Sequence, residues 1–475
     1  MDSHKSTLLW VLGCIFMWAL YKGGVFVGRK EDAIEEFKYI VTNYILPLIR
    51  TSGKLRFRDD IPPHRLERLI NVYPEQNRLS IYPCLKNPQF HFRINLGDSS
   101  PSLGAPESIL REIMYASQYN YGKKSFYKIP YYEREIGDLQ VYRNGRFDTA
   151  YEVGLCNWLG GTSVYRLLDK LQNWSRKTYE GQRMPFSFII DAANKAKGHK
   201  DYIHFLNSNH SAVFTDGMSC GIALDNNGQI INYFSTTDGI INDGLLPLVP
   251  YRFCNFAQKC YTDDYDSVWV GIILQNNGDI LIFKNRQLVF IKRSGKWLYI
   301  NPHRIYSTIA KYFHAEDNVK IAKELYLSIL DISFSRSGGC IGIVAEKFKQ
   351  KVKKEYIPRD DLEIDEPDEK KDILRRLIRY GATTEGPLFH TLDRKLRRDL
   401  LSLDGATVID NSGRIMGIGA IVKIGGGSDE GGRTAAAKQL ANFGLGIKVS
   451  MDGRVQGFCK SDNGQSSVDE IFTLL

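Results

Sequence analysis

The sequence has no CxxC pair, no zinc-finger spacing, no helix-turn-helix signature and no arginine-rich arm. The first two absences matter because eight cysteines are present, at positions 14, 84, 156, 220, 254, 260, 340 and 459. Scattered in this way they read as reduced cytosolic thiols, mostly small buried hydrophobes, and exclude a disulfide framework. Even Cys254 and Cys260, the closest pair, have no neighbouring His or Cys to complete a metal site. The missing nucleic-acid motifs bear on the formal charge of +9, from 63 Lys+Arg against 54 Asp+Glu. Without such a motif no nucleic-acid partner is expected, and the excess suits a protein lying near an anionic membrane.

What is present is enough for several cores. A chain of 475 residues implies two to four domains at roughly 100–200 residues each. Its 26 Tyr and 24 Phe argue against global disorder, because aromatic burial offsets ordering entropy. From Thr7 to Tyr21 (TLLWVLGCIFMWALY) no charge interrupts the chain, and after Lys22 the apolar run resumes through Val27. Taken over 7–27, with Lys22 snorkelling to the interface, this is long enough for a membrane span of roughly 20 residues. Trp10, Trp18 and Tyr21 suit its boundaries. A cleaved secretory signal is the main rival, although no small-x-small site follows Ala19; a buried helix is the third reading. Lys22, Arg29, Lys30 and Lys38 behind the run outweigh Lys5 ahead of it, which predicts a single-pass cell-membrane protein with its carboxy-terminal domains in the cytoplasm.

Residues 31–180 read as an α+β region without a chemistry-bearing motif, opening on an amphipathic helix at 31–50. Over 181–315 the period switches to strands. GIALDNNGQIINYF from Gly221 and VGIILQNNGDILIF from Val270 each place an Asn-Asn-Gly turn between apolar runs, the chemistry of a tight hairpin. Two such hairpins arise by chance in any sheet, so no repeat is expected. His204, His210 and Asp216 share one stretch there, but their spacing fits no standard ligand pattern.

The carboxy-terminal region, 320–475, carries the chemistry. A helix over 318–333 leads through Gly338-Gly339 into the apolar strand CIGIVAE; the polar stretch 347–371 then reads as a solvated loop or insertion. Helical periodicity returns over 388–401. Leu403-Asp404-Gly405-Ala406 opens a strand, an Asn-Ser-Gly turn returns the chain as RIMGIGAIVKI, and a glycine-dense loop from Gly425 to Arg433 runs into the helix TAAAKQLANFG. Glycines let backbone N–H groups approach an anion, the helix start adds partial positive charge, and Arg433 adds a fork of donors suited to phosphate. Asp404 beside Gly405 and Ala406 suits a divalent cation or a hydroxyl. On residue types alone, a nucleotide phosphate site and a glycine-rich surface loop stand level.

This order of helix, GGCIGIV strand, LDGA, ID-x-SGRI hairpin, GIGAIV strand, Gly-Arg loop, Ala-rich helix and VS-containing final hairpin resembles the diadenylate cyclase domain, over about 155 residues. The resemblance implies an α/β fold: a mixed-sheet domain with flanking helices, preceded here by a β-rich α+β region and an amino-terminal transmembrane helix. It also implies condensation of two ATP into cyclic di-AMP and pyrophosphate, with Mg2+ or Mn2+, across the face of a homodimer of that domain. Asp404 would hold the metal near the attacking ribose hydroxyl, Arg433 would act with it on the phosphates, Gly405 and Ala406 would line the nucleotide, and Gly431, Gly432, Thr434 and Ser450 would bind it. The β-rich region would act as a sensor. One departure bears on turnover. The family's Gly-Thr-Arg-His-Arg-Ala-Ala is here Gly431-Gly432-Arg433-Thr434-Ala435-Ala436-Ala437, which keeps the first Arg and loses the His and the second Arg. A charge-assisted bond to phosphate contributes roughly 1.5–3 kcal/mol, so the loss corresponds to about tenfold to a hundredfold in rate if that bond tightens in the transition state. The alternative is therefore a catalytically impaired module that senses a nucleotide.

Overall fold

The computed structural model describes residues 147–159, 162–191, 201–237, 247–261, 269–358, 387–424, 431–461 and 467–474, with short backbone segments and isolated positions elsewhere. The expected anchor at 7–27 lies outside the described residues, as do 359–372 and 425–430. Among the described residues no helix is long and apolar enough to cross a membrane. In the amino-terminal region β1 (Leu55–Arg58), β2 (Ile70–Tyr73), β3 (Arg78–Ile81) and β4 (His91–Asn95) pair antiparallel in the order β1-β4-β3-β2. A hairpin of β5 (Tyr132–Ile136) and β6 (Leu139–Arg143) follows.

Helices α1 (Phe147–Leu159) and α2 (Thr162–Trp174) then lead into the first large sheet. Its strands are β7 (Phe186–Asp191), β8 (Cys220–Asp225), β9 (Ile230–Ser235), β10 (Trp269–Leu274), β11 (Ile280–Lys284), β12 (Gln287–Arg293) and β13 (Lys296–Tyr299). The short α3 (Tyr202–Phe205) lies between β7 and β8, and α4 (Cys254–Lys259) precedes β10. Both leading helices belong to this sheet: Glu152 of α1 accepts from Lys292 at 2.6 Å, from Trp297 Nε1 at 3.1 Å and from Gln172 of α2 at 3.0 Å.

α5 (Pro302–Ala310) and α6 (Asn318–Ser335) connect to the second sheet. This contains β14 (Gly339–Val344), β15 (Ala406–Asp410), β16 (Ile415–Ala420), β17 (Gly444–Val449), β18 (Val455–Lys460) and β19 (Val468–Leu474). α7 (Arg394–Leu401) precedes β15, starting where Asp393 accepts from the N–H groups of Lys395 and Leu396, the role of an N-cap. α8 (Gly432–Ala441) precedes β17. The stretch after β14, expected as loop, instead forms successive helical turns at Glu346–Phe348, Lys349–Lys351 and Val352–Tyr356. Phe348, Val352 and Tyr356 recur at helical spacing under the lysines, and Val352 is fully buried.

The two sheets share one strand plan. The first runs β13-β12-β11-β10-β7-β8-β9 and the second β19-β18-β17-β14-β15-β16; the first has one strand more, β13. In each, the first two strands in sequence are parallel (β7 with β8, β14 with β15) and the other pairs are antiparallel. The registers also match. Asp191 faces Asp225 and Trp269, as Val344 faces Asp410 and Gly444. A bulge falls opposite Ile282/Phe283 in one sheet and Gly457/Phe458 in the other. Asp225 Oδ1 accepts from Asn227 and Gln229, as Asp410 Oδ1 accepts from Ser412 and Arg414. A chance pair of hairpins would not share a parallel pair, a bulge and a turn. The chain holds one fold twice.

Between the copies lies α6. Every residue from Leu325 to Phe334 is buried, because the helix meets apolar surface from both sheets rather than from one. Phe334 packs on Phe253 of the first copy at 6.2 Å, while Ser333 donates to the carbonyl of Gly453 in the second.

Candidate functional site

Topology gathers the chemistry-bearing residues at one end of the second sheet. β14 and β15 are parallel and both begin there, with Cys340 facing Ala406; β17 runs the other way and ends there, with Val449 facing Gly339. Asp404 stands two residues before Ala406, and Ser450 one residue after Val449. Neighbouring strands lie about 4.8 Å apart, so Asp404 and Ser450 flank the start of β14 within roughly two strand spacings. α8 brings its amino terminus to the same end: a Cβ at Gly338 would lie 2.8 Å from Arg433 Nη1 and 3.4 Å from the Met451 side chain. On the other flank Ser337 and Ser402 join their hydroxyls at 2.9 Å, tying the loop before β14 to the end of α7.

Each expected residue can now be placed. Asp404 is exposed, and no hydrogen bond or ion pair engages its carboxylate among the described residues. Arg433 is half-buried, and its Nε is buried without a hydrogen-bond partner among the described residues. Gly431 and Gly432 are exposed; Gly431 caps α8 at φ 82°, and no side chain among the described residues takes up the free N–H groups of the helix start. Ser450 is half-buried, in a turn where its N–H donates to Arg454 and its carbonyl accepts from Gly453. The remaining three lie at the strand start and beneath it. Ala406 is fully buried in the core beneath the site. Gly405 has φ +94°, and a Cβ there would run into the carbonyl group of Gly419 on β16, so close strand packing alone requires glycine. Thr434 and Ala435, the positions that depart from the family pattern, are both buried.

Two lysines bear on the missing arginine. Lys423 leaves β16 at this same end of the sheet, since Ala420 faces Ala406, and it is exposed. Lys438 is further along α8, with its ammonium 5.9 Å from the Phe458 ring. Ser337 and Ser402 escaped sequence reasoning, since nothing in spacing links serines 65 residues apart.

Among the described residues no three His, Cys, Asp or Glu side chains gather to hold a metal ion. An exposed, unengaged Asp404 fits a hard cation of the kind held by one or two carboxylates together with substrate phosphates and water. It does not fit an ion caged by protein alone. The His204–Asp216 stretch has another use: Asp216 accepts from the Ser219 hydroxyl and from the N–H groups of Met218, Ser219 and Cys220, and these bonds outweigh burial to lower its carboxyl pKa to about 2.

No family model matches the chain, and no curated protein matches it. Among solved structures the chain is similar to a hypothetical membrane spanning protein from Bacillus cereus, at 18% identity and a TM-score of 0.21, over 35% of this chain and 70% of that one. It is similar also to a double mutant of DacA from Staphylococcus aureus, at 14% identity and a TM-score of 0.21, over 33% of this chain and 90% of that one.

Proposed function

We propose that the second copy is a diadenylate cyclase domain, joining two ATP into cyclic di-AMP with release of two pyrophosphates. The observation that carries this reading is the convergence of Asp404, Arg433, Ser450 and the uncapped start of α8 on one sheet end. Arg433 binds phosphate through its guanidinium, which lies beside Gly338 at that end. The free N–H groups of Gly432 and its neighbours hold a second phosphate oxygen. Asp404 faces the 3′-hydroxyl that attacks the α-phosphate of the other ATP, where a bound Mg2+ or Mn2+ would lower the hydroxyl's pKa. Because the attacking and attacked nucleotides each need such a site, two chains would pair through this domain. The amino-terminal run at 7–27 would anchor it to the cell membrane with the domain in the cytoplasm, and the first copy would regulate it.

A second reading, a nucleotide-sensing module, is favoured by the burial of Thr434 and Ala435. An arginine in place of Ala435 would have to leave the core to reach a phosphate, so the missing charge is not restored by a simple exchange. The deciding experiment incubates the purified full-length chain with ATP and Mn2+ or Mg2+ and assays cyclic di-AMP and pyrophosphate. Product is expected, with a loss of at least about a hundredfold in Asp404→Asn. Saturable ATP binding without product in the parent chain establishes the sensing module instead, and equal turnover in Asp404→Asn removes that residue from the mechanism.

A further inference from the structure

The first copy carries its own counterpart of the Arg433 end. In the second copy α8 crosses the sheet at Gly446, where a Cβ would run into the Ala437 carbonyl; in the first, α4 crosses at Gly271, where a Cβ would meet Cys260 and Phe256. Arg433 stands four residues before Ala437, and Arg252 stands four before Phe256. Ser450 and Gln275 correspond as well. Each follows its strand directly and forms the same turn: Gln275 N–H donates to Asp279 and its carbonyl accepts from Gly278, as Ser450 does with Arg454 and Gly453. Arg252 and Gln275 are in contact, the guanidinium donating to Gln275 Oε1.

Two further arginines converge on this point. Arg293 donates from Nε to Asp279 Oδ2 at 2.9 Å, and Arg336 brings Nη2 to within 3.6 Å of the same oxygen. Arg336 caps α6 with φ 55°, so the helix between the copies delivers it. Arg252 and Arg336 are exposed at the mouth, while Arg293, Asp279 and Gln275 form a buried floor. Gly453 of the second copy closes one side, beneath the Arg293 guanidinium. Among the described residues these guanidiniums meet one carboxylate: Arg293 and Arg336 pair with Asp279, while Arg252 reaches Gln275. Two buried donors, Arg293 Nη1 and Gln275 Nε2, lack a hydrogen-bond partner among the described residues. Buried donors in native proteins are almost always paired, and a surplus of cations around them calls for an anion.

We propose that Arg252, Arg293 and Arg336 form a second anion site at the seam of the two copies, which takes a phosphate or phosphoester group. The surplus charge suits a group of charge −2, and the planar forks suit its oxygens. Seated there, the anion would bridge the first copy to α6, on which the second copy is built. The proposal does not depend on turnover at Asp404.

The test uses the full-length chain carrying Arg433→Gln, which disables the other phosphate site, in calorimetric titrations with inorganic phosphate, pyrophosphate and ATP. Saturable binding is expected, weakened about tenfold or more by Arg252→Gln and by Arg336→Asn, the asparagine tolerating the left-handed cap. Binding of inorganic phosphate identifies a free-phosphate site; binding of ATP alone identifies a phosphoester site with contacts beyond the phosphate. Should the variants fail to fold, phenylglyoxal modification of the parent chain, mapped by mass spectrometry, serves instead: phosphate or ATP should protect Arg336. The proposal is overturned if none of the three probes binds, if both substitutions leave the isotherms unchanged, or if no probe protects Arg336.

Discussion

The two copies show how far a strand plan and its chemistry separate. At the start of the second parallel strand, one copy has Asp404, Gly405 and Ala406; at the matching register the other has Ser219, Cys220 and Gly221. Arg433 keeps an unpartnered Nε, whereas Arg252 donates to Gln275. The edges differ too. β16 is buried throughout, while β9 exposes Ile230, Ile231 and Tyr233. What is retained is what holds the backbone: the parallel pair, the bulge, the turn aspartates and the glycine beneath the crossing helix. What has drifted lies at strand ends and in loops, where function is set with little effect on the fold.

The strongest test of the comparison addresses what binds the copies together. Asp331 of α6 is buried and holds both sides: it accepts from the Tyr251 N–H at 2.6 Å and pairs with Arg394 at 2.7 Å, and Arg394 also donates to the Val249 carbonyl at 2.7 Å. Asp331→Ala leaves the Arg394 guanidinium, with only 10% of its side chain exposed, without its carboxylate and the Tyr251 N–H without its acceptor, and is expected to cost about 3 kcal/mol in urea unfolding. Asp331→Ala with Arg394→Met should cost clearly less than the single change. If Asp331→Ala costs under about 1 kcal/mol, the copies are not joined through this pair.

A second test exchanges one atom at equivalent places. At Gly446 an added methyl meets the backbone carbonyl of Ala437, which moves only if α8 lifts; Gly446→Ala is expected to cost about 3 kcal/mol or more. At Gly271 the same methyl meets Cys260 and Phe256 side chains, which have other rotamers, so Gly271→Ala should cost roughly 1–3 kcal/mol, and Cys260→Ala in the same chain should restore part of it. Equal costs at both positions would mean that the helices do not cross alike.

This pairing explains what the sequence hid. The strands of 406–420 were legible from apolar runs broken by an Asn-Ser-Gly turn, those of 444–460 as a final hairpin, and α6 from its spacing. The β-rich character of 181–315 was legible as well. The duplication was not, because its evidence lies in register. Matching hairpins are cheap in sequence, and the helices that would have completed the pattern agree at only one of six positions once Arg252 is set on Arg433: CNFAQK in α4 against AAAKQL within α8. Of the candidate site, the residues marked by glycine and charge were legible as candidates, namely Asp404, Arg433 and Gly431-Gly432, and the fold brings Asp404 and Arg433 to one sheet end. The seam cluster was not, since Arg252, Asp279, Arg293 and Arg336 come from four separate elements and meet only after folding.

The smallest expected effect separates the two turn aspartates. Each accepts backbone N–H groups across its hairpin, but Asp410 also accepts from the Ser412 hydroxyl at 2.6 Å and pairs with Lys349 at 2.7 Å. Burial alone would raise the Asp410 carboxyl; the Lys349 ammonium, the Ser412 hydroxyl and the Arg414 N–H outweigh it and hold the group below the usual carboxylate range. A carboxyl depressed in the folded state binds its proton more tightly when unfolded. Its contribution is therefore complete above the unfolded pKa, about 3.9, and is lost as pH falls through the lower folded value. Asp410→Asn should remove this increment, destabilising the chain by roughly 1–2 kcal/mol at pH 7 and by less at pH 3. Lys349→Met should reproduce part of the loss, and a loss at pH 3 as large as at pH 7 would show that Asp410 acts through its shape and not its charge.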